Sequence, residues 1–300
     1  MTVTGDGLAE CVLNISEGRD RAVLAGLRRV AGPTLLDFHA DADHHRSVFT
    51  LGGRWDQVEP AARAMARQVV EAIDIGAHHG AHPRIGGLDV VPWVALAGWP
   101  VGDGPLELAI GARDRFAVWA GDELGLPCFV YGPERSLPDL RRHAWRDLPP
   151  ATGPTVAHPT AGATAVGARP ILVAYNLWLA GELDQLGADG LLSRARRIAA
   201  SIRGPGVRAL GLLVGGGVQV SCNLTDPWNV GPAAVFDAVA SRAAVERAEL
   251  VGLVPLSVLE RAPRPRWPEL GLDPSTTIEA RLERAGLDGG RFSAQGAGGR

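Results

Sequence analysis

AECVLNISEGRDRAVLAGLRRVA, residues 9–31, changes hydrophobic period halfway along. Residues 9–15 form a short apolar run broken only by Glu10 and Asn14, which reads as a strand. Residues 19–31 place Val23, Leu24, Leu27 and Val30 at three-to-four spacing, which reads as an amphipathic helix. Working outward, TLLDFHA (34–40) and SVFTLGG (47–53) read as two strands joined by the polar turn 41–46. WDQVEPAARAMARQVVEAID (55–74) reads as a helix with Pro60 in its first turn. LDVVPWVAL (88–96) reads as a strand, where Pro92 argues for an edge position or a bulge.

The same order returns further on. PILVAYNLWL (170–179) predicts a strand, and LLSRARRIAASIR (191–203) a helix that begins a turn or more earlier. VRALGLLV (207–214) and VQVSCNLT (218–225) predict a hairpin across Gly215, Gly216 and Gly217. That triglycine opens no helix, so it reads as a turn and not as a phosphate loop. PAAVFDAVASRAAVERA (232–248) predicts a helix and ELVGLVPL (249–256) a strand. Two βαββαβ units predict an α+β protein of two ferredoxin-like subdomains, each a sheet with helices on one face. A helix near 105–125, a strand at 128–132 and a Pro/Gly/Thr-rich loop lie between them. The expected division is 1–168, 169–287 and a disordered tail at 288–300.

Composition narrows the chemistry. With 46% hydrophobic residues over 300 positions, the chain can bury a sizeable core. It has no run of 18 apolar residues and no basic-then-apolar leader, so neither a membrane span nor a signal peptide is expected. Three widely spaced cysteines in apolar runs suit buried thiols in the cytoplasm. All 30 basic residues are arginine, which excludes a Schiff-base lysine and a P-loop lysine. A net charge of -3 gives no case for nucleic-acid binding.

Histidine is the unusual element. Six of the eight histidines lie between residues 39 and 82, in DFHADADHHRSV and GAHHGAHPRIGG. His78 and His82 are spaced i, i+4, as in helical zinc sites, but Gly80 and Pro83 oppose a helix and no Glu follows His78. A metal is therefore not expected there. His78 and His79 read as loop residues. His82, fixed by Pro83 and followed by Arg84, reads equally as an acid/base group or as a loop histidine. The His/Asp turn at 39–46 reads as a solvated hairpin or, less readily, as a cation site.

Six blocks in order, ECVLNISEGRD, HRSVFTLGG, GAHPRIGGLDVVPW, GATAVGARPILVAYN, QVSCNLTD and LVGLVPL, resemble the glutamate formiminotransferase family across roughly residues 9–260. The resemblance implies two subdomains with a ligand groove between them, a homodimer, small-molecule substrates, and tetrahydrofolate as co-substrate without a metal. It implies transfer of a formimino group from N-formiminoglutamate to N5 of tetrahydrofolate, within histidine degradation. His82 matches the family's catalytic histidine. The folate loop matches Gly153, Pro154, Thr155, Val156, Ala157, His158, Pro159, Thr160, Ala161 and Gly162. Arg46 and Arg84 are candidates for substrate carboxylates, and Arg135, Arg141, Arg142, Arg146 and Arg169 for the folate tail. This chain departs from the family where His39 replaces an acidic residue of animal members, and where the 153–162 loop lacks the usual aromatics. Alternatives are another formimino donor or acceptor, a non-catalytic folate- or amino-acid-binding protein, and a metal-dependent amidine hydrolase.

Overall fold

Alternation sets the first strand. In β1 (Leu8–Ile15), Ala9, Cys11, Leu13 and Ile15 are fully buried, while Val12 and Asn14 between them are half-buried. The computed structural model of the chain describes residues 7–79, 84–180 and 183–287, and within these the side chains of Ala77 and 183–188 are left undescribed. His82 and the tail 288–300 lie outside the described residues. The chain divides into two compact units: residues up to Gly98 with Gly102–Pro170 and the segment from Ala285 on, and Trp99–Val101 with Ile171–Arg284.

In the first unit, α1 (Arg21–Ala31) starts where Asp20 accepts hydrogen bonds from the Ala22 and Val23 amides. It ends at Gly32, whose φ of 57° suits glycine. Then follow β2 (Leu35–Asp41), β3 (Arg46–Arg54), α2 (Trp55–Ala72) and β4 (Leu88–Ala97). The sheet order β2-β3-β1-β4 is that of a ferredoxin-like unit. The chain continues through β5 (Gly102–Asp103), α3 (Leu106–Leu124), β6 (Cys128–Tyr131), α4 (Leu137–His143) and β7 (Thr164–Ala168). β7 and β6 extend the sheet beyond β4 in parallel, and β5 pairs with β4, giving seven strands. One sheet face packs with α1, α2 and α3 around Trp93, which lies between Trp55 and Phe116. On the opposite face, Leu140 of α4 packs with Val90, Phe129 and Tyr131.

The second unit runs β8 (Val173–Leu179), α5 (Leu183–Ile202), β9 (Val207–Val214), β10 (Gly217–Leu224), α6 (Pro232–Ala240) and β11 (Val245–Val251). Its order, β11-β8-β10-β9, repeats the ferredoxin-like arrangement. Gly215 and Gly216 have φ of 54° and 79°, and Gly217 pairs with Val214, so the triglycine is a two-residue hairpin turn. Two short helices, α7 (Leu256–Leu259) and α8 (Ile278–Arg284), close the unit. The buried carboxylate of Glu279 accepts the Val101 and Leu256 amides at 2.7 and 2.8 Å.

Several expectations are corrected. Pro92 is neither on an edge strand nor at the register shift: β4 lies between β1 and β7, and Pro92 aligns with Gly167. The β1–β4 ladder passes from Cys11↔Trp93 to Asn14↔Val90, a gap that spans the residue without a donor. Pro60 is the sixth residue of α2, not in its first turn. The expected helix 232–248 stops at Ala240, and Val245–Val251 pairs with β8 instead. Sheet pairing there overrides the helical propensity of Ala, Glu and Arg. The expected loop before Pro170 contains β7, whose five small residues are all buried.

Candidate active site

The described part of the site is built on the first unit, around the segments that flank His82. Ser16, at the end of β1, donates its hydroxyl to the Gly86 carbonyl at 2.8 Å, and its amide to the Gly87 carbonyl at 2.8 Å. Close approach requires the glycines here. A Cβ on Gly86 would sit 2.0 Å from the Ala163 carbonyl oxygen, and one on Gly18 would sit 2.2 Å from that of Asp41. The SEGR and RIGG stretches are thus seats for neighbouring backbone.

The polar turn 41–46 folds on itself. Asp41 Oδ1 accepts the amides of Asp43 and His44, both at 2.8 Å. His45, at φ 49°, turns its ring so that Nδ1 accepts the Gly18 amide at 3.2 Å. His78 packs on it with ring centroids 3.7 Å apart, and Arg84 contacts His78 Nδ1. Arg84 also donates to the His44 and His45 carbonyls at 3.1 and 3.3 Å. His78 is therefore part of a packed cluster and not loop decoration, whereas His79 is exposed. Burial, with His45 and Arg84 adding to it, pulls the His78 imidazole down to about 4. Burial also lowers His45, against the opposing pull of Glu17. Both rings are neutral at pH 7 and serve as acceptors.

Beside this cluster lies Asp89, whose side chain is 0% exposed. Its Oδ2 receives Arg46 Nη1 and Arg141 Nη2, each at 2.6 Å, and its Oδ1 receives the Ile85 amide at 2.8 Å. Arg46 Nη2 reaches Asn14 Oδ1 at 2.9 Å. Burial works against the Asp89 charge, but the two guanidiniums outweigh it and hold the carboxyl below its usual range. Asp89 and Asn14 were not singled out by sequence reasoning. The available signal was a polar residue inside an apolar strand run, which demands a buried partner.

The 153–162 loop meets the same region by its far end. Gly153 and Gly162 have φ of 78° and 72°. His158 and Gly162 exchange backbone hydrogen bonds at 2.8 and 2.9 Å, and His158 Nδ1 accepts the Ala161 amide at 3.0 Å. Pro154, Thr155, Val156, Ala157, Pro159 and Thr160 are exposed, and Ala161 and Gly162 are buried. Ile75 N donates to Thr160 O at 2.7 Å, Gly87 N to Ala161 O at 2.9 Å, and Ala163 N to Ile85 O at 3.0 Å. The loop is thus clamped to both flanks of the His82 segment.

The other arginine candidates separate. Arg141 joins Asp89, while Arg135 donates to the Val130 carbonyl and Arg142 pairs with exposed Asp139. Arg169 donates to the Pro170 carbonyl. Its charge also tempers buried Glu10, whose carboxyl burial pushes up to about 6. Among the described residues, no three His, Cys, Asp or Glu side chains converge to hold a metal ion, and no helix is long and apolar enough to cross a membrane.

Two βαββαβ units, the first bearing a cluster of histidines and arginines beside a glycine-seated loop, place the chain among α+β proteins of ferredoxin-like design. Residues 8–169 match the family model described as formiminotransferase domain, N-terminal subdomain, and the chain belongs to that family of transferases. It is 34% identical over 283 residues to the glutamate formimidoyltransferase of Streptococcus pyogenes serotype M1, covering 84% of this chain and 90% of that one. With the glutamate formimidoyltransferase of Thermoplasma acidophilum it shares 30% over 315 residues, covering 93% and 98%. With the formimidoyltransferase-cyclodeaminase of Sus scrofa it shares 33% over 289 residues, covering 84% of this chain and 51% of that one. The chain spans about half the length of that bifunctional relative.

Proposed function

We propose that the chain moves a formimino group from N-formiminoglutamate to N5 of tetrahydrofolate, giving 5-formiminotetrahydrofolate and glutamate. The observation that carries this reading is the clamp between the 158–163 backbone and Ile75, Ile85 and Gly87, which sets the loop matched to folate binding against both flanks of His82. The names of the relatives support the donor, and family membership supports the folate acceptor.

The chemistry asks little of the protein beyond positioning and one proton relay. N5 attacks the amidine carbon of the donor and forms a tetrahedral adduct. The N5 proton passes to His82, which returns it to the glutamate nitrogen as the carbon–nitrogen bond to glutamate breaks. A positioned acid/base group contributes about 10²–10⁴ in rate. Holding both substrates in contact supplies much of the remainder. In this reading Arg84 faces a substrate carboxylate. Arg46, engaged with Asp89 and Asn14, organises the surroundings. The protein acts as a homodimer in the cytoplasm.

The test is an assay of tetrahydrofolate with N-formiminoglutamate, with and without chelator, following glutamate release. Folate-dependent turnover that ignores chelator is expected. His82→Ala is expected to keep folate binding and to lose at least about 10²-fold in turnover. Folate binding without turnover would favour another donor or a sensor, and chelator-sensitive hydrolysis without folate would favour a metal-dependent hydrolase.

A further inference from the structure

Asp89 is costly to bury, and its neighbours explain little of that cost through stability alone. An ion pair in a protein interior is often no more stabilising than apolar side chains of the same volume, because each charge must be stripped of water. What such a pair does supply is direction: charge-assisted hydrogen bonds are short and geometrically demanding. At Asp89 three of them converge on one carboxylate, at 2.6, 2.6 and 2.8 Å. Each comes from a different segment. Arg46 opens β3 directly after the histidine-bearing turn, Arg141 belongs to α4, and Ile85 lies three residues beyond His82. Through Arg46 the network continues to Asn14 of β1. None of these contacts completes the apolar core.

We infer that Asp89 is the positioning residue of the transferase site, fixing the Arg84–Gly87 segment relative to the 41–46 turn, and that α4 is drawn into that apparatus through Arg141. This rests on the reading of His82 as the proton carrier. Asp89 touches no reacting atom; it acts through the segment whose Ile85 amide it holds. On either side, the Arg84 guanidinium donates to the His44 and His45 carbonyls, and the Gly87 amide to the Ala161 carbonyl. Between them the Ser16 hydroxyl holds the Gly86 carbonyl, and Asp89 is the charged side chain that holds the Ile85 amide. A reacting group misplaced by about 1 Å loses on the order of 10² in rate, so loosening that stretch is read more in turnover than in affinity for the substrate that Arg84 faces.

Charge balance supplies two variants. Asp89→Asn keeps an oxygen for Ile85 but leaves two guanidiniums facing each other. Arg141→Met removes one guanidinium and leaves Asp89 paired one-to-one with Arg46, so the fold survives more readily. Both are made in the full chain and measured for kcat, KM, melting and the NMR titration of His78. Asp89→Asn is expected to lower kcat by about 30- to 100-fold, with KM rising by less than about tenfold for the substrate whose carboxylate Arg84 faces and staying within about threefold for the other. Arg141→Met is expected to lower kcat by about five- to tenfold, with KM held for the substrate that Arg84 does not face. The His78 midpoint is expected to rise from about 4 as the cluster loosens, chiefly through lost burial and in part through Arg84 moving away. A kcat within threefold of the parent in a folded Arg141→Met protein, with the His78 midpoint unmoved, overturns the inference. If Asp89→Asn does not fold, Arg141→Met decides alone. If the parent chain shows no turnover, the functional reading fails separately, and the His78 midpoint in the variants still tests whether the segment is held by Asp89.

Discussion

Two of the arginine–carboxylate clusters, one taken from each unit, invert each other's composition. In the first unit one carboxylate, Asp89, serves two arginines and is shut away from water. In the second unit one arginine, Arg266, serves two carboxylates at the surface. Arg266 has the better fork, with Nη2 and Nη1 on the two oxygens of Asp237 at 2.7 and 3.1 Å and Nε on Glu269 at 2.8 Å. It also lies over the Phe236 ring. Yet the Asp237 and Glu269 side chains are 59% and 51% exposed, so water competes for every bond. Good geometry in solvent contributes little, and charges held out of water commit the structure heavily. The comparison teaches that burial, and not bond count, sets how far a charged cluster commits the structure.

The largest effect expected on stability is from Asp89→Ala, which strands two guanidiniums. Loss of a buried partner of this kind costs about 3–5 kcal/mol, read as a lower midpoint in chemical denaturation. A midpoint within error of the parent would place Asp89 on a par with the surface cluster. The next effect is on acid stability. His78 titrates at about 4 in the fold and near ~6.5 unfolded, so the unfolded chain binds more protons between those values. The His78 contribution to stability is full above pH ~6.5 and is lost as pH drops toward 4, opposed over part of that window by Glu10, whose raised carboxyl favours the fold as pH falls. Asp89, whose folded value is depressed, adds a second loss at lower pH, below ~3.9. Denaturation midpoints measured from pH 7 to 4 check the first window, and His78→Gln should flatten it. A smaller change is expected when Asp89, Arg46 and Arg141 are replaced together by Leu, Met and Met. Stability should return to within about 2 kcal/mol of the parent, while turnover stays lost. Recovery of both would show that the charges serve packing alone. Smallest is Asp237→Ala, for which no resolvable shift in midpoint is expected.

How far the sequence carries one depends on whether the deciding contact is local. Both βαββαβ units follow from hydrophobic period, and the glycine hairpin at 215–217 follows from turn chemistry, because these are properties of adjacent residues. β7 escapes this reading, since TAVGA has neither bulk nor alternation. Its strand character comes from lying between β4 and β6, with the Tyr131 ring seated on Gly167. Pro92 misleads for the same reason: a missing donor suggests an edge, but a ladder can leave a gap inside a sheet. Among the site residues, the blocks around His82, Arg84 and the 153–162 loop were readable as motifs. Asp89 was visible only as a polar residue in an apolar run. Its arginine partners stand 43 and 52 residues away in the chain, and period and motif do not report contacts at that distance. The pairing of His45 with His78 was equally hidden, because it depends on how two loops fold together.

The position of β7 also bears on the order in which the molecule can form. Along the chain β6 precedes β7, but in the sheet β7 stands between β4 and β6. Until residues 164–168 arrive, the strand carrying Phe129 and Tyr131 has no place beside β4, and Leu140 of α4 has only part of its apolar bed. The ferredoxin-like half can close on contacts from the first hundred residues, whereas this side waits for a distant segment. Closing such loops costs entropy before the contacts repay it, which slows folding. Arg141 is carried by α4, so the last arm of the Asp89 network belongs to the late-closing side. On a ribosome, the scaffold for chemistry would be finished only after the loop matched to folate binding has emerged.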